Sequence, residues 1–131
     1  MDKMNQAILQ RLRGNSRLSW QQIGKEVHLT GQAVAARVQQ MLAQRQITGF
    51  TIREDGQPLH YITVFMKTTD FGDFERFVQR EADVRSAHKV SGEGCYHLVV
   101  TSPDAPALDA FLTRLLDHAT YKVLSGVRCV K

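Results

Sequence analysis

The spacing of the apolar residues changes part-way along the chain, and this change constrains the fold more than any other feature. Near the start of the chain, Met4, Ile8 and Leu12 recur at the spacing that places side chains on one face of an α-helix. From Tyr61 onward, the apolar residues form short runs separated by turn-forming residues, as strands do. The sequence therefore predicts an α+β fold in which a helical part precedes a mixed αβ part.

Two helix starts lie close together in the helical part. Ser19, with Gln22 three residues later, has the pattern of a capping box, and Thr30 is a second N-cap residue. The turn at His28 and Leu29 separates the two helices by only a few residues, as a helix-turn-helix motif requires. The inward faces of these helices are predicted to hold Trp20, Ile23, Val27, Val34, Val38, Met41 and Leu42.

The segment after the third helix is expected to form a short strand or wing. Ile47, Phe50 and Ile52 alternate loosely with polar residues there. Three helices followed by a hairpin make a winged helix-turn-helix domain, which we place at residues 1–52. The polar segment 53–60 contains Asp-Gly and a proline and is predicted to be a linker.

Strand and helix patterns alternate along residues 61–131. Strands are predicted at 61–67, 84–91, 95–101 and 121–130, with helical stripes between the first two and between the last two. The resulting order, βαββαβ, is that of a ferredoxin-like domain. The first, third and fourth strands carry apolar residues on both faces, so we expect a second subunit to cover the face without helices.

Charge is distributed unevenly between the two parts. Residues 1–50 contain seven basic and two acidic side chains, a net charge of +5. Residues 51–131 contain ten basic and eleven acidic side chains, a net charge of −1. This asymmetry favours a polyanionic partner, double-stranded DNA, for the first part; a chance distribution of surface charge is the alternative.

The third helix has the composition of a DNA-reading helix. Its small residues allow a close approach to base edges, and its Gln and Arg side chains offer the groups that read adenine and guanine in the major groove. A plain three-helix bundle with a polar outer face remains the alternative. The outward residues are predicted to be Gly31, Gln32, Ala35, Arg37, Gln39 and Gln40.

No catalytic motif is recognisable in the chain. The nucleophile elbow, the P-loop and the H-E-x-x-H motif are all missing, so we predict no enzyme activity and no cofactor. Cys95 and His97, with His88 or His118, lack the spacing of a metal site, and no metal is predicted. The turn at 92–94 (Gly-Glu-Gly) is consistent with either a simple hairpin or a cradle for a carboxylate.

The sequence also limits where the protein is expected to act. No apolar run approaches the roughly 18 residues of a membrane span. The opening residues MDKMNQ do not resemble a signal peptide, and two distant cysteines do not make a disulfide framework. We therefore expect a cytoplasmic protein without a membrane partner.

Five short segments occur in the order and on the elements typical of one regulator family. They are D-K-M-N-Q-A-I-L at 2–9, R-L-S followed by I-G within 17–24, L-T followed by V and R-V within 29–38, I-T-G-F at 47–50, and V-S-G at 90–92. In these segments the chain resembles the leucine-responsive/asparagine-operon regulators, the Lrp/AsnC or feast/famine family.

The resemblance implies a transcription regulator with a DNA-binding domain and a ferredoxin-like (RAM-type) domain. Such domains dimerise sheet to sheet, and the homodimers build tetramers or octamers that bind amino acids or related effectors between dimers. The resemblance places DNA contacts at Thr30, Gln32, Ala33, Arg37 and Gln40. It places effector contacts at Ser91, Gly92, Glu93, Gly94 and Cys95.

Three departures from the family pattern leave alternatives open. Arg45 replaces the glycine that usually ends the recognition helix, so a different cap geometry is expected, and Gln40 replaces an arginine. Cys95 stands where many members have aspartate, which makes an architectural DNA-binding regulator without an effector the alternative. A metabolite-binding or catalytic module whose helical part only mediates assembly is a third hypothesis, which the basic first part disfavours.

Overall fold

The computed structural model describes residues 2–131, which divide into two compact units between Arg53 and Glu54. Each unit has its own hydrophobic core. The predicted linker is shorter than 53–60, because its last two residues, Leu59 and His60, already belong to a strand. No helix within the described residues is both long and apolar enough to cross a membrane.

The first unit consists of three capped helices; the caps at Ser19 and Thr30 are as predicted, and the cap at Asp2 is an addition. Asp2, Ser19 and Thr30 each accept a hydrogen bond from the backbone N–H three residues later. Seven fully or almost fully buried side chains form the core: Ile8, Leu12, Ile23, Val27, Val34, Val38 and Met41. The helices are α1 (Lys3–Gly14), α2 (Trp20–Val27) and α3 (Gly31–Ala43).

The turn between α2 and α3 closes tightly against α2. His28 adopts a left-handed conformation with φ of 61°, and the backbone N–H of Leu29 donates to the carbonyl of Gly24 at 2.9 Å. A Cβ atom on Gly24 would lie well inside van der Waals contact with the Leu29 carbonyl. The angle between the two helices therefore depends on glycine at position 24.

The end of α3 keeps the geometry of a glycine cap without the glycine. Arg45 has a left-handed φ of 58°, its N–H donates to Leu42, and the N–H of Gln46 donates to Met41 at 2.8 Å. This pair of bonds is the Schellman motif. The expectation of a different cap geometry is therefore wrong, and the arginine instead accepts a conformation that costs about 1–2 kcal/mol.

The strand or wing predicted after α3 is not formed. Residues 47–58 contain no strand, and Phe50 and Ile52 are exposed. A strand is stable only where another backbone pairs with it. The nearest strand along the chain, β1 (Leu59–Met66), is already paired on both edges within its own sheet.

The second unit has the predicted βαββαβ order and a four-stranded antiparallel sheet. The strands lie in the order β2-β3-β1-β4, which confirms the ferredoxin-like arrangement. The remaining elements are α4 (Phe71–Arg80), β2 (Val84–Lys89), β3 (Tyr96–Thr101), α5 (Ala105–Leu115) and β4 (Ala119–Ser125).

The two faces of this sheet differ in burial. On one face Ile62, Val64 and Leu98 are fully buried in a core with Phe74 of α4 and Phe111 of α5. The opposite face has no covering element among the described residues of its unit. We call it the open face, and it presents Tyr61, Phe65, His97, Val99 and Leu124.

Candidate nucleic-acid interface and ligand site

The exposed face of α3 is the first candidate site. Val34, Val38 and Met41 form the buried stripe of this helix. The residues roughly opposite them are all exposed, and we call them the reading face: Gln32, Ala36, Gln39 and Gln40. The predicted outward set did not include Ala36, although successive helix residues turn by about 100° and this geometry places Ala36 opposite the stripe.

The structure separates the five predicted DNA-contact residues into three groups. Gln32 and Gln40 lie on the reading face. Thr30 and Ala33 are joined to each other by the N-cap bond, from Ala33 N–H to Thr30 Oγ1 at 3.1 Å. Arg37 lies at the edge of the face and is described next.

Arg37 contacts α1 instead of projecting freely. Its guanidinium donates to Asp2 Oδ2 at 2.9 Å and to Asn5 Oδ1 at 3.1 Å. The pKa of Asp2 lies below its usual value, first because the Asn5 backbone N–H donates to the carboxylate and second because Arg37 does. Any contact between Arg37 and DNA therefore competes with these two partners.

Ion pairing leaves an excess of free cations on the first unit. Asp2 pairs with Arg37, and Glu26 pairs with Arg11, so both acidic side chains of residues 2–50 are neutralised. The five other basic side chains of this range are exposed and have no acidic partner in the described chain: Lys3, Arg13, Arg17, Lys25 and Arg45.

A groove adjoins the reading face where α2 and α3 begin. It is lined by Ser19, Trp20, Gln21, Thr30, Gly31, Gln32 and Ala35. The prediction that Trp20 faces the core is wrong, since its side chain is 36% exposed and it is not part of the core cluster. Trp20 is the first residue of α2 and lies beyond the core, where Gly31 packs against Gln21 instead.

The second candidate site is the turn over residues 90–95, which is fixed to the sheet at one end. The backbone N–H of Cys95 donates to the Val64 carbonyl at 2.7 Å, and the N–H of Val90 donates to Cys95 at 3.1 Å. Gly94 has a φ of +80°, and a Cβ there would lie 2.6 Å from Thr63 Cγ2. Glycine is therefore required for this close approach to β1.

The other end of the turn is open. Ser91, Gly92 and Glu93 are exposed, and within residues 2–131 the backbone N–H groups of 91–94 donate no hydrogen bond. The Glu93 carboxylate accepts from Lys122 Nζ at 2.7 Å, and this bond holds the pKa of Glu93 below its usual value. The turn thus combines unused backbone donors with one carboxylate that is already paired.

The residues considered for a metal site are brought together only in part. Cys95 and His97 are half-buried, and His88 lies beside His97 in the sheet. His118 instead stacks on Phe77 of α4 with ring centroids 4.5 Å apart. Residues 2–131 contain no group of three or more His, Cys, Asp or Glu side chains that could hold a metal ion.

Comparison with known proteins identifies both units. Residues 1–42 match the AsnC-type helix-turn-helix domain, and residues 60–127 match the Lrp/AsnC ligand binding domain. The chain belongs to the Lrp/AsnC family. It is 33% identical over 129 residues to the HTH-type transcriptional regulator LrpA of Bacillus subtilis, covering 94% of this chain and 95% of that protein. It is 31% identical over 136 residues to LrpB of the same organism, covering 100% of this chain and 91% of that protein.

Solved structures of Lrp/AsnC-type regulators share the fold. The structure of Bacillus subtilis LrpC superimposes with a TM-score of 0.84 at 20% identity, over 100% of this chain and 97% of that one. A Neisseria meningitidis transcriptional regulator in complex with L-Met has a TM-score of 0.84 at 24% identity, over 100% of this chain and 92% of that one. The family resemblance and the fold class are therefore confirmed.

Family membership sets the general function. The chain is a transcriptional regulator with a DNA-binding helix-turn-helix unit and a ligand-binding unit, and its curated relatives are regulators, not enzymes.

Proposed function

We propose that this protein is a sequence-specific regulator that reads double-stranded DNA with the exposed face of α3, in the cytoplasm. The observation that carries the proposal is the position of the reading face in a unit whose two acidic side chains are both already paired. Amide side chains make paired hydrogen bonds to adenine edges, and alanine leaves room for thymine methyl groups. The five free cations supply the attraction to phosphate.

Selection of a duplex from a random pool, followed by fluorescence anisotropy at fixed salt, tests this proposal. The Gln32→Ala, Gln40→Ala double variant is expected to bind the selected duplex at least about tenfold more weakly, since each good base contact contributes about 1–3 kcal/mol. Its affinity for an unselected duplex should change little. Gln10→Ala, an exposed glutamine on α1, is the matched control. Equal loss on both duplexes would contradict base reading by α3.

We further propose that Thr30, Ala33 and Arg37 contact the same duplex. Thr30 and Ala33 lie at the start of α3, next to the groove, and Arg37 reaches a base only after releasing Asp2 and Asn5. Asp2→Asn is therefore expected to strengthen DNA binding, and Arg37→Ala to weaken it by roughly 1–3 kcal/mol. If Arg37→Ala binds DNA normally but unfolds more easily, Arg37 only joins α3 to α1.

We propose that two copies pair through their open faces and that such dimers build tetramers or octamers. The support is an aromatic and aliphatic face with Tyr61 and His97 stacked at 6.4 Å and Leu124 73% exposed. Sedimentation velocity of the full chain is expected to show a dimer or larger species, and Val99→Asp a monomer. Leu116→Asp, an exposed leucine just after α5, is the control. A monomeric wild-type protein at micromolar concentration would contradict the proposal.

We propose that the 90–95 turn takes part in binding an amino acid or related metabolite between dimers, with contacts from Ser91, Gly92, Glu93, Gly94 and Cys95. Unused backbone N–H groups in a glycine turn are suited to a carboxylate, and a relative of the same fold was crystallised with L-Met. A thermal-shift series over the amino acids tests this, because a ligand at 100 times its Kd stabilises the protein by about 2.7 kcal/mol.

A regulator without an effector is the second candidate. Two observations favour it: Cys95 supplies no carboxylate for an ammonium group, and the Glu93 carboxylate is already bound to Lys122. In that case no amino acid shifts the melting temperature, whereas DNA binding is unaffected. If there is no effector, Lys122→Ala should also show no shift of the melting temperature with any amino acid. If instead Lys122 blocks Glu93, the variant should show a new or larger shift.

A further inference from the structure

We propose that Trp20 and the groove beside it form a second DNA contact, which holds one sugar–phosphate backbone of the duplex without using charge. This inference rests on the proposed reading of DNA by α3 and adds the side of the groove that lies at the start of α2, Ser19, Trp20 and Gln21.

Trp20 is the large apolar side chain of α2 that the fold leaves at the surface. The other two residues of its helical stripe, Ile23 and Val27, are buried, with exposed fractions of 0% and 6%. Trp20 is 36% exposed and contributes to one wall of a groove instead of to the core. A tryptophan that the core does not use, at the rim of a concave surface, is typical of an interface.

The groove is continuous with the reading face. Gln32 is part of both, and Ala35 lies one helical turn further along α3 in the groove wall. The major groove of B-DNA is only about 12 Å wide and is bordered by a phosphate backbone on each side. We therefore expect one of those backbones to pass over the adjoining groove when Gln32 meets a base edge.

The lining of the groove suits a sugar–phosphate backbone and contains no charged residue. The indole ring of Trp20 offers an apolar surface for deoxyribose carbons and an N–H for a phosphate oxygen. The hydroxyls of Ser19 and Thr30 each accept one backbone N–H as helix caps, which leaves their own protons available to donate. The groove can therefore supply three neutral donors and an aromatic surface.

This chemistry gives the contact a distinctive salt dependence. Basic side chains release counterions from DNA, so their contribution to affinity falls as salt rises. Neutral contacts release none. The contribution of Trp20 should therefore be the same at low and high salt, unlike that of the free cations of the first unit.

The test is anisotropy of the selected, labelled duplex with the full chain at several salt concentrations. Trp20→Ala is expected to weaken binding roughly tenfold, about 1.4 kcal/mol, at every concentration, giving a line of log affinity against log salt parallel to that of the wild type. Trp20→Phe, which keeps a ring, should retain most of the affinity. Unchanged affinity of Trp20→Ala, or lines that converge at high salt, would overturn the inference.

A second measurement uses the unaltered protein and so does not depend on the folding of a variant. Trp20 is the single tryptophan of the chain. Acrylamide quenching of its fluorescence should fall severalfold when the duplex saturates the protein. Unchanged quenching at saturation would overturn the Trp20 contact and leave base reading by α3 intact, whereas a wild-type protein that selects no duplex would overturn both.

Discussion

Each unit depends on one turn in which glycine lies against backbone, but the two turns are held differently. The α2–α3 turn (residues 28–30) is fixed at both ends, by the contact of Gly24 with Leu29 and by the Thr30 cap. The 90–95 turn is fixed only where Gly94 meets β1, and its residues 91–93 are exposed. A glycine in close contact thus fixes the angle between two helices in the first unit, whereas in the second unit it anchors one end of an otherwise exposed loop.

The largest expected effect is from Gly24→Ala, which breaks the α2–α3 turn. The added Cβ meets a backbone carbonyl that no side-chain rotation can move, so we expect the first unit to lose about 3 kcal/mol or more of its free energy of unfolding. Urea unfolding followed by Trp20 fluorescence reports on this unit alone, because the tryptophan lies in it.

Gly14→Ala is the matched control for this change. Gly14 is also in a helix, but a Cβ there meets nothing within 4 Å. Its replacement should leave stability unchanged or raise it by up to about 1 kcal/mol through helix propensity. Similar unfolding curves for the two variants would show that the α2–α3 turn is not rigid.

The next effect is from Gly94→Ala in the 90–95 turn. Here the closest atom is a side-chain methyl, Thr63 Cγ2, and the left-handed φ adds strain, so we expect a loss of about 2 kcal/mol from the second unit. Near-UV circular dichroism in a Trp20→Phe background reports on this unit, since the single tryptophan is then absent and all three tyrosines, Tyr61, Tyr96 and Tyr121, lie in it.

Thr63→Ser in the Gly94→Ala background removes the methyl group and should recover part of the loss. Gly92→Ala, at an open position with φ of +106°, should cost only the strain, about 1 kcal/mol. A larger cost at Gly92 than at Gly94 would mean that the open end of the turn is the constrained one.

A smaller and opposite effect is expected from Arg45→Gly at the end of α3. Glycine adopts the left-handed conformation without strain, so the first unit should gain about 1 kcal/mol. Arg45→Ala removes the charge and keeps the strain, and it should leave stability nearly unchanged. Urea unfolding followed by Trp20 fluorescence compares the two variants. If both gained stability, the loss of the Arg45 charge, and not the relief of strain, would be the cause.

The smallest effects concern pH, and the two units should respond at opposite ends of the scale. Because the pKa of Asp2 is lowered, its carboxylate stabilises the first unit above about pH 4, and this stabilisation is lost in stronger acid. Burial and a 2.5 Å hydrogen bond to Glu75 raise the pKa of Tyr96 to about 12. The protonated Tyr96 therefore stabilises the second unit fully below about pH 10, and this stabilisation is lost as the pH rises through about 12. Asp2→Asn and Tyr96→Phe should remove the acid and alkaline responses, respectively, in Trp20 fluorescence and in tyrosinate absorbance.

Features that depend on neighbours along the chain could be predicted from sequence. The caps at Ser19 and Thr30 and the element order of the second unit follow from local patterns, and all are confirmed. The positions of Gln32 and Gln40 on the exposed face of α3 follow from helical spacing in the same way.

Features that depend on distant partners could not be predicted. The strand expected at residues 47–52 is absent, and only the sheet order shows that β1, the next strand along the chain, has no free edge for it. Arg37 meets Asp2 across 35 positions of sequence, and no local pattern encodes that pair. Trp20 has the spacing of a core residue, but it is the first residue of α2 and lies outside the core cluster.

The contact between Asp2 and Arg37 has a practical consequence for handling the protein. A purification tag fused ahead of residue 2 would place foreign chain beside a carboxylate that holds the flank of α3. Any such tag that displaces Asp2 would release Arg37 and change the apparent strength of DNA binding. Binding assays should therefore compare the same protein with and without such a tag.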